Sequence, residues 1–257
     1  MKNNFLTKNA KPIKKLTVIL KKHSGRDSSG TISVRHQGGR QKRYYRMVDF
    51  KRDKRDIKGE VIRVEKDPGR NAHIALIKYE DNELSYIIHP EGLKVGDKII
   101  ASESADINTG NAMPLKNIPI GVSVHNVEMY PKHGGQIARG AGTSAVVIAK
   151  EDDYIHLKLQ SGEVRKFFPD CFATIGKVGN SEFKDEIIGS AGRKILMGIR
   201  PTVRGTAQNP RSHPHGGGEG KSGEGMHPKT PWGKSARGTR TRNKDKWSNK
   251  FLVKRRK

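Results

Sequence analysis

The sequence predicts an all-β protein of two small barrels in series, flanked by long basic extensions. Three observations carry this. Short β-rich runs recur about every 8–12 residues between positions 61 and 178, punctuated by turn residues. Nothing in that span keeps a helical period of useful length. The excess charge lies almost wholly outside it.

The first barrel is placed at residues 48–121. Its strand runs are VIRVEK, NAHIALIKYE, LSYIIHP and DKIIASE. The separators are DPGR, EDNE and EGLKVG, with Asp81-Asn82 a good hairpin turn. NTGNAMPLKNIPIG, residues 108–121, has two prolines and little periodicity, and is read as the joint.

The second barrel is placed at 122–192, with runs VSVHNVEMY, SAVVIAKED, YIHLKLQ, EVRKFF and ATIGKV. YIHLKLQ alternates, setting Ile155, Leu157 and Leu159 on one face and Tyr154, His156 and Lys158 on the other. Ser161-Gly162 turns the chain into the next run. Short strands with glycine turns at this spacing suit small barrels of roughly 60–75 residues.

The extensions are 1–47 and 193–257. The first holds 13 Lys and Arg against one acid, the second 18 against three. The middle holds 20 against 22, so the net charge of +25 belongs to the ends. Such charge calls for a polyanionic partner. The last 65 residues carry ten Gly and five Pro, and too few apolar side chains to offset an ordering cost of about 1–2 kcal/mol per residue. Alone this segment is expected to be disordered; threaded along nucleic acid, its prolines and its tryptophans, Trp232 and Trp247, gain a purpose.

Several classes are excluded. No apolar run is long enough to span a membrane. LTVIL near the start is too short for a signal-peptide core, and the first 25 residues hold no Arg, unlike a mitochondrial transit peptide. The protein is therefore expected to stay in the compartment where it is made. The single cysteine, Cys171, forms no disulfide framework and is expected in a half-buried strand.

Three motifs need weighing. GGGEGKSG resembles a phosphate loop, but the required first glycine falls on His215, and prolines replace the preceding strand. His213, His215 and His227 lack the partners of a metal site. Glu219 and Glu224 sit on glycine-rich backbone expected to leave them unoriented, so no acid/base pair is assigned. What remains is a glycine-rich chain that approaches phosphate closely, with Arg211, Lys221 and Lys229 meeting phosphates and His213 and His215 stacking or bonding to RNA.

Two further stretches suit RNA. RHQGGRQKRYYRMVDFKRDK sets Arg40, Arg43 and Arg46 among Tyr44 and Tyr45. KHGGQIARGAG reads as a nest of backbone N–H groups with Arg139 facing phosphate. DPGR is a turn expected to point Arg70 outward.

Taken in order, RHQGGRQKRYYRMVDFKRDK, DPGRNAHIALIKY, NIPIGVSVHNVEMYPKHGGQIARGAG, GIRPTVRGTAQNP and HPHGGGEGKSGEGMHPKTPWG resemble the universal large-subunit ribosomal protein two family, of bacterial or organellar type. The resemblance covers about Arg35 to the end. It implies an oligonucleotide-binding-type barrel followed by an SH3-like barrel. It also implies large-subunit rRNA, other ribosomal proteins and the small subunit as partners, with support of the peptidyl-transferase centre. Arg70 and Arg139 correspond to the family's rRNA contacts, and His213 to a histidine long proposed to act near that centre. Arg204 falls within a matched segment. The family usually places Val-Asp before that histidine; here stand Arg211 and Ser212. Without that carboxylate, a direct acid/base role is weaker. Peptide-bond formation is expected from the RNA, no residue is assigned as catalytic, and no cofactor or metal is expected. The expected location is the ribosome, in a bacterial cytoplasm or an organelle.

Overall fold

The computed structural model describes residues 6–7 and 10–256. The chain divides into two compact units. Of the described residues, one contains those up to Leu20, 43–187 and 248–256; the other contains 21–42 and 188–247.

The first unit is all β. It opens with a short antiparallel pair, β1 (Thr17–Val18) and β2 (Tyr45–Arg46). A curled four-stranded sheet follows, built from β3 (Gly59–Lys66), β4 (His73–Tyr79), β5 (Leu84–Ile88) and β6 (Lys98–Ile99) in the order β5-β4-β3-β6. This is the oligonucleotide-binding-type barrel. A register shift between Val61 and Arg63 bends β3. Asn82 turns the β4–β5 hairpin with φ 62°, and its N–H donates to the Tyr79 carbonyl.

Both faces of that sheet are covered. Val61, Val64, Ala75, Ile77 and Ile99 pack on one side, while Ile74, Leu76, Tyr86 and Ile88 pack on the other with Val48 and Val178. This explains why HIALIKY is a nearly continuous apolar run rather than a strict alternation. Each fully buried aliphatic side chain contributes about 1.5–3 kcal/mol.

The SH3-like part comprises β7 (Ala112–Pro114), β8 (Ser123–His125), β9 (Val127–Glu128), β10 (Gly135–Ile137), β11 (Ala145–Lys150), β12 (Ile155–Lys158), β13 (Val164–Phe167) and β14 (Phe172–Ile175), with β15 (Leu252–Lys254) from far along the chain. Seven of these form one sheet, β15-β13-β12-β11-β8-β14-β7, while β9 and β10 pair separately. Val124, Val147, Ile155, Leu157, Phe167 and Ala173 fill its core.

Several local expectations change. The joint at 108–121 contains β7, which pairs with β14; Pro114 is tolerated because β7 lies at the sheet edge. VSVHNVEMY breaks into β8 and β9 at Asn126, whose φ is 50°. His156 is buried like its neighbours, so YIHLKLQ does not alternate cleanly. Cys171 has no exposed surface and precedes β14 rather than lying half-buried within a strand. The C-terminal region supplies β15, with Phe251 buried against Tyr154 and Phe168.

The second unit has a different construction. Every buried apolar side chain among the described residues belongs to the first unit; the second has none. It contains one short helix, α1 (Ala191–Met197), closed by Gly198 at φ 95°. Backbone bonds join its two chain segments: Gly38 N–H to Gly198 O at 2.8 Å, Gln41 to Leu196 at 2.9 Å and Arg200 to His36 at 3.0 Å.

Candidate nucleic-acid interface

The DPGR turn between β3 and β4 is organised by its aspartate. Asp67 is buried, and its Oδ1 accepts the Gly69 N–H at 2.8 Å, a turn that Asp readily forms. Arg70 Nε donates to Asp67 Oδ2 at 2.7 Å, and Arg46 Nη1 lies 3.7 Å from Oδ1. Arg43 Nη1 donates to the Pro68 carbonyl at 2.6 Å. Three arginines expected to face RNA thus converge on one turn, but Arg46 is buried there against Asp67 and Arg43 is half-buried. Arg70 does not point outward as expected: its side chain is 14% exposed, because the buried carboxylate holds it inward.

Aromatic rings lie beside these cations. The Arg70 guanidinium sits 5.6 Å from the Tyr45 ring centre and 5.4 Å from that of Phe50. Arg139 lies 4.5 Å from the same Phe50 ring. These distances allow cation–π attraction. Arg139 is exposed, and its Nη1 donates to the Gly135 carbonyl at 3.2 Å. Gly135 N–H donates in turn to Phe50 O at 2.8 Å. No side chain fits at Gly135, where a Cβ would come within 2.1 Å of Asn126 Oδ1. An open cleft runs between Phe50, Lys51, His133, Gln136 and Arg139.

The KHGG nest proves to be occupied from within. Lys132 and Gly134 have positive φ angles of 64° and 82°, but their N–H groups donate to the carboxylate of Glu128. They therefore do not face phosphate. The side chains of Lys132, His133, Gln136 and Arg139 remain exposed.

In the second unit, residues 208–217 form a tight glycine-dependent loop. Gly217 N–H donates to Gln208 O and Gly216 N–H to His213 O. A Cβ at Gly216 would meet the backbone of Gln208 and Asn209 at 2.5 Å. The His213 ring packs on Gly205, and its Nδ1 accepts the His215 N–H at 3.1 Å. His215 is buried, its Nε2 accepting the Lys229 N–H at 2.8 Å. Its ring supports its own segment rather than reaching out to stack or bond as expected. Glu224 was expected to be unoriented, yet its carboxylate lies 3.8 Å from His215 Nδ1. Arg204, Arg211, Lys221 and Trp232 are exposed, with Trp232 at 74%; Arg40 is half-buried.

Three buried histidines and the cysteine of the first unit are shifted toward their neutral forms. Burial pushes His73 and His125 down to about 4, and lowers His89. His125 Nδ1 donates to the Gly176 carbonyl at 2.9 Å. Burial, with Glu128 nearby, pushes the Cys171 thiol up to about 12, which suppresses thiolate chemistry. Among the described residues, no group of three or more His, Cys, Asp or Glu is placed to hold a metal ion. No described helix is long and apolar enough to cross a membrane.

Sequence reasoning reached the arginines but missed Asp67 and Phe50, which touch them, and Glu128, which bonds the neighbouring loop. Asp67 had a legible signal, since Asp-Pro-Gly-Arg is turn chemistry with an acid at its head. Phe50 and Glu128 act through long-range contacts that local pattern does not encode.

Residues 13–101 match the RNA binding N-terminal domain of Ribosomal Proteins L2, and residues 108–233 match the C-terminal domain of the same proteins. Together these matches span most of the chain, in order and without overlap. The chain belongs to the ribosomal protein L2 family, whose members are RNA-binding structural components of the large ribosomal subunit.

Proposed function

We propose that this chain binds large-subunit rRNA through the arginine–aromatic surface of its first unit and through its glycine-rich second unit. In doing so it supports the peptidyl-transferase centre and the joining of the subunits. The observation that carries the reading is the exposed Arg139 guanidinium over the Phe50 ring, beside the open cleft shared with Lys51, His133 and Gln136. The inward-turned Arg70 and Arg46 and the Arg43 bond brace the neighbouring DPGR turn. Guanidinium groups bond phosphate in a planar fork, and aromatic surfaces beside them accept unstacked bases.

The second unit fits the same role. It has no buried apolar side chain, yet it carries Arg40, Arg204, Arg211, Lys221 and Trp232. Phosphate contacts would hold such a chain, and its glycines allow close approach. Peptide-bond chemistry then belongs to the RNA, with His213 in a supporting position. The ribosome concerned is of bacterial or organellar type.

The test is binding of the Arg139→Ala protein to a large-subunit rRNA transcript over a range of salt. Affinity should fall by about 1–3 kcal/mol, and the slope of log K against log salt should decrease by about one. Unchanged affinity and slope would count against this surface. Wild-type protein should also remain on large subunits sedimented at high salt, whereas a peripheral binder would wash off.

A further inference from the structure

Glu128 is a buried carboxylate, 1% exposed, at the end of β9. It accepts three backbone N–H groups: Gly134 at 2.8 Å on Oε1, with Phe172 at 3.0 Å and Lys132 at 3.2 Å on Oε2. Two donors belong to the exposed basic loop, and the third begins β14. Left-handed backbone at Lys132 and Gly134 accompanies two N–H groups, on alternate residues, that meet one anion, while the His133 N–H between them donates to the Tyr130 carbonyl. The Arg55 guanidinium, stacked on the Phe172 ring, adds electrostatic attraction. Bonds to an ionised acceptor are stronger than neutral ones, and a buried charge deprived of them is costly, so the loop is held to one shape.

The residue following this turn is Gly135, which places both halves of the proposed RNA contact. Its carbonyl receives Arg139 Nη1, and its N–H donates to the Phe50 carbonyl. We propose that Glu128 is a positioning residue for RNA recognition: its internal negative charge fixes the loop that presents Arg139 beside Phe50. The inference rests on the reading of Arg139 as an RNA contact. It assigns an acidic, buried residue to the affinity of a basic surface.

The experiment is a double-mutant cycle in the full chain, with Glu128→Gln, Arg139→Ala and the double variant titrated with a large-subunit rRNA transcript across salt. Glutamine keeps the volume but cannot accept all three N–H groups through ionised oxygens. Glu128→Gln is expected to weaken binding about three- to tenfold and to lower the salt slope, because Arg139 is no longer held in place. In the Arg139→Ala background the same change should have little further effect. General weakening of the barrel would not produce that dependence. Faster amide exchange at Lys132 and Gly134 in the folded variant should accompany the loss.

Wild-type affinity for Glu128→Gln beside a weakened Arg139→Ala would overturn this proposal alone. Losses that simply add in the double variant would do the same. Full affinity for Arg139→Ala would remove the underlying site and the proposal together. If Glu128→Gln does not fold, Gly134→Ala takes its place, since a side chain there strains a φ of 82° and perturbs the same loop. Retained RNA affinity in that variant would then refute the role assigned to the loop.

Discussion

Arg70 donates its Nε–H to Asp67 Oδ2 across 2.7 Å, and the carboxylate it meets has no exposed side-chain surface. Removing Arg70 therefore strips a buried anion of its nearest cation, leaving Arg46 at 3.7 Å. Arg70→Ala should lower the unfolding free energy by about 1–3 kcal/mol, measured by urea titration without RNA. Arg139→Ala, at an exposed position, should change it by less than about 0.5 kcal/mol. Equal stability losses would mean that Asp67 does not depend on Arg70. A drop in RNA binding by the Arg70 variant alone cannot be assigned to a lost phosphate contact, so the Arg139 variant is the cleaner probe.

Acid should weaken the first unit through its histidines. His73 and His125 have folded values depressed to about 4 from an ordinary value near 6.5. Between those values the unfolded chain binds more protons than the folded one, so stability rises with pH. Their contribution is complete above about pH 6.5 and is lost as pH falls toward 4. At pH 5 the loss should be roughly 1–2 kcal/mol for each residue. Unfolding titrations at pH 7.5 and pH 5 measure it, and His125→Asn should flatten the profile.

Limited proteolysis should follow the division into units. The second unit has no buried apolar side chain, so RNA-free protein should be cut first within 21–42 and 188–247. Residues 43–187 should survive, still associated with the segment containing Phe251 and β15. Binding to rRNA should suppress the early cuts. Mass spectrometry of the fragments decides the matter, and early cleavage within 59–88 would contradict it.

His213 should act through structure. Its Nδ1 already receives the His215 N–H, its ring lies on Gly205, and the carboxylate in the neighbourhood approaches His215 instead. General acid/base catalysis typically supplies about 10²–10⁴-fold in rate. Large subunits assembled with His213→Gln, purified from incomplete particles, should lose less than about tenfold in single-turnover peptide-bond formation. The shape of the pH profile should be unchanged. A hundredfold loss with an altered profile would assign His213 to the chemistry.

Strand content was legible because packing and local preference agree between 61 and 178. Each of the β-rich runs contains a strand, and Asn82 and Gly162 take the positive φ that their turns require. β7 was hidden by Pro114, which a central strand would forbid and an edge allows. β15 was hidden because LVK is unremarkable until β13 offers it a partner. At the candidate site the cations were legible from charge, but their directions were not. Arg70 turns inward because Asp67 is buried, and the KHGG amides are taken because Glu128 folds beneath them. Both outcomes depend on which carboxylates the fold buries, and composition does not reveal that.

The pairing of β15 with β13 has a consequence for biosynthesis. Val164 is made long before its partner Lys254, with all of 188–247 emerging in between. During that interval one side of β13 presents unpaired N–H and C=O groups, which template pairing with other chains. A nascent chain stalled before Leu252 carries this edge open. Premature termination there should therefore give aggregation-prone protein even though every other strand of both barrels has already been synthesised.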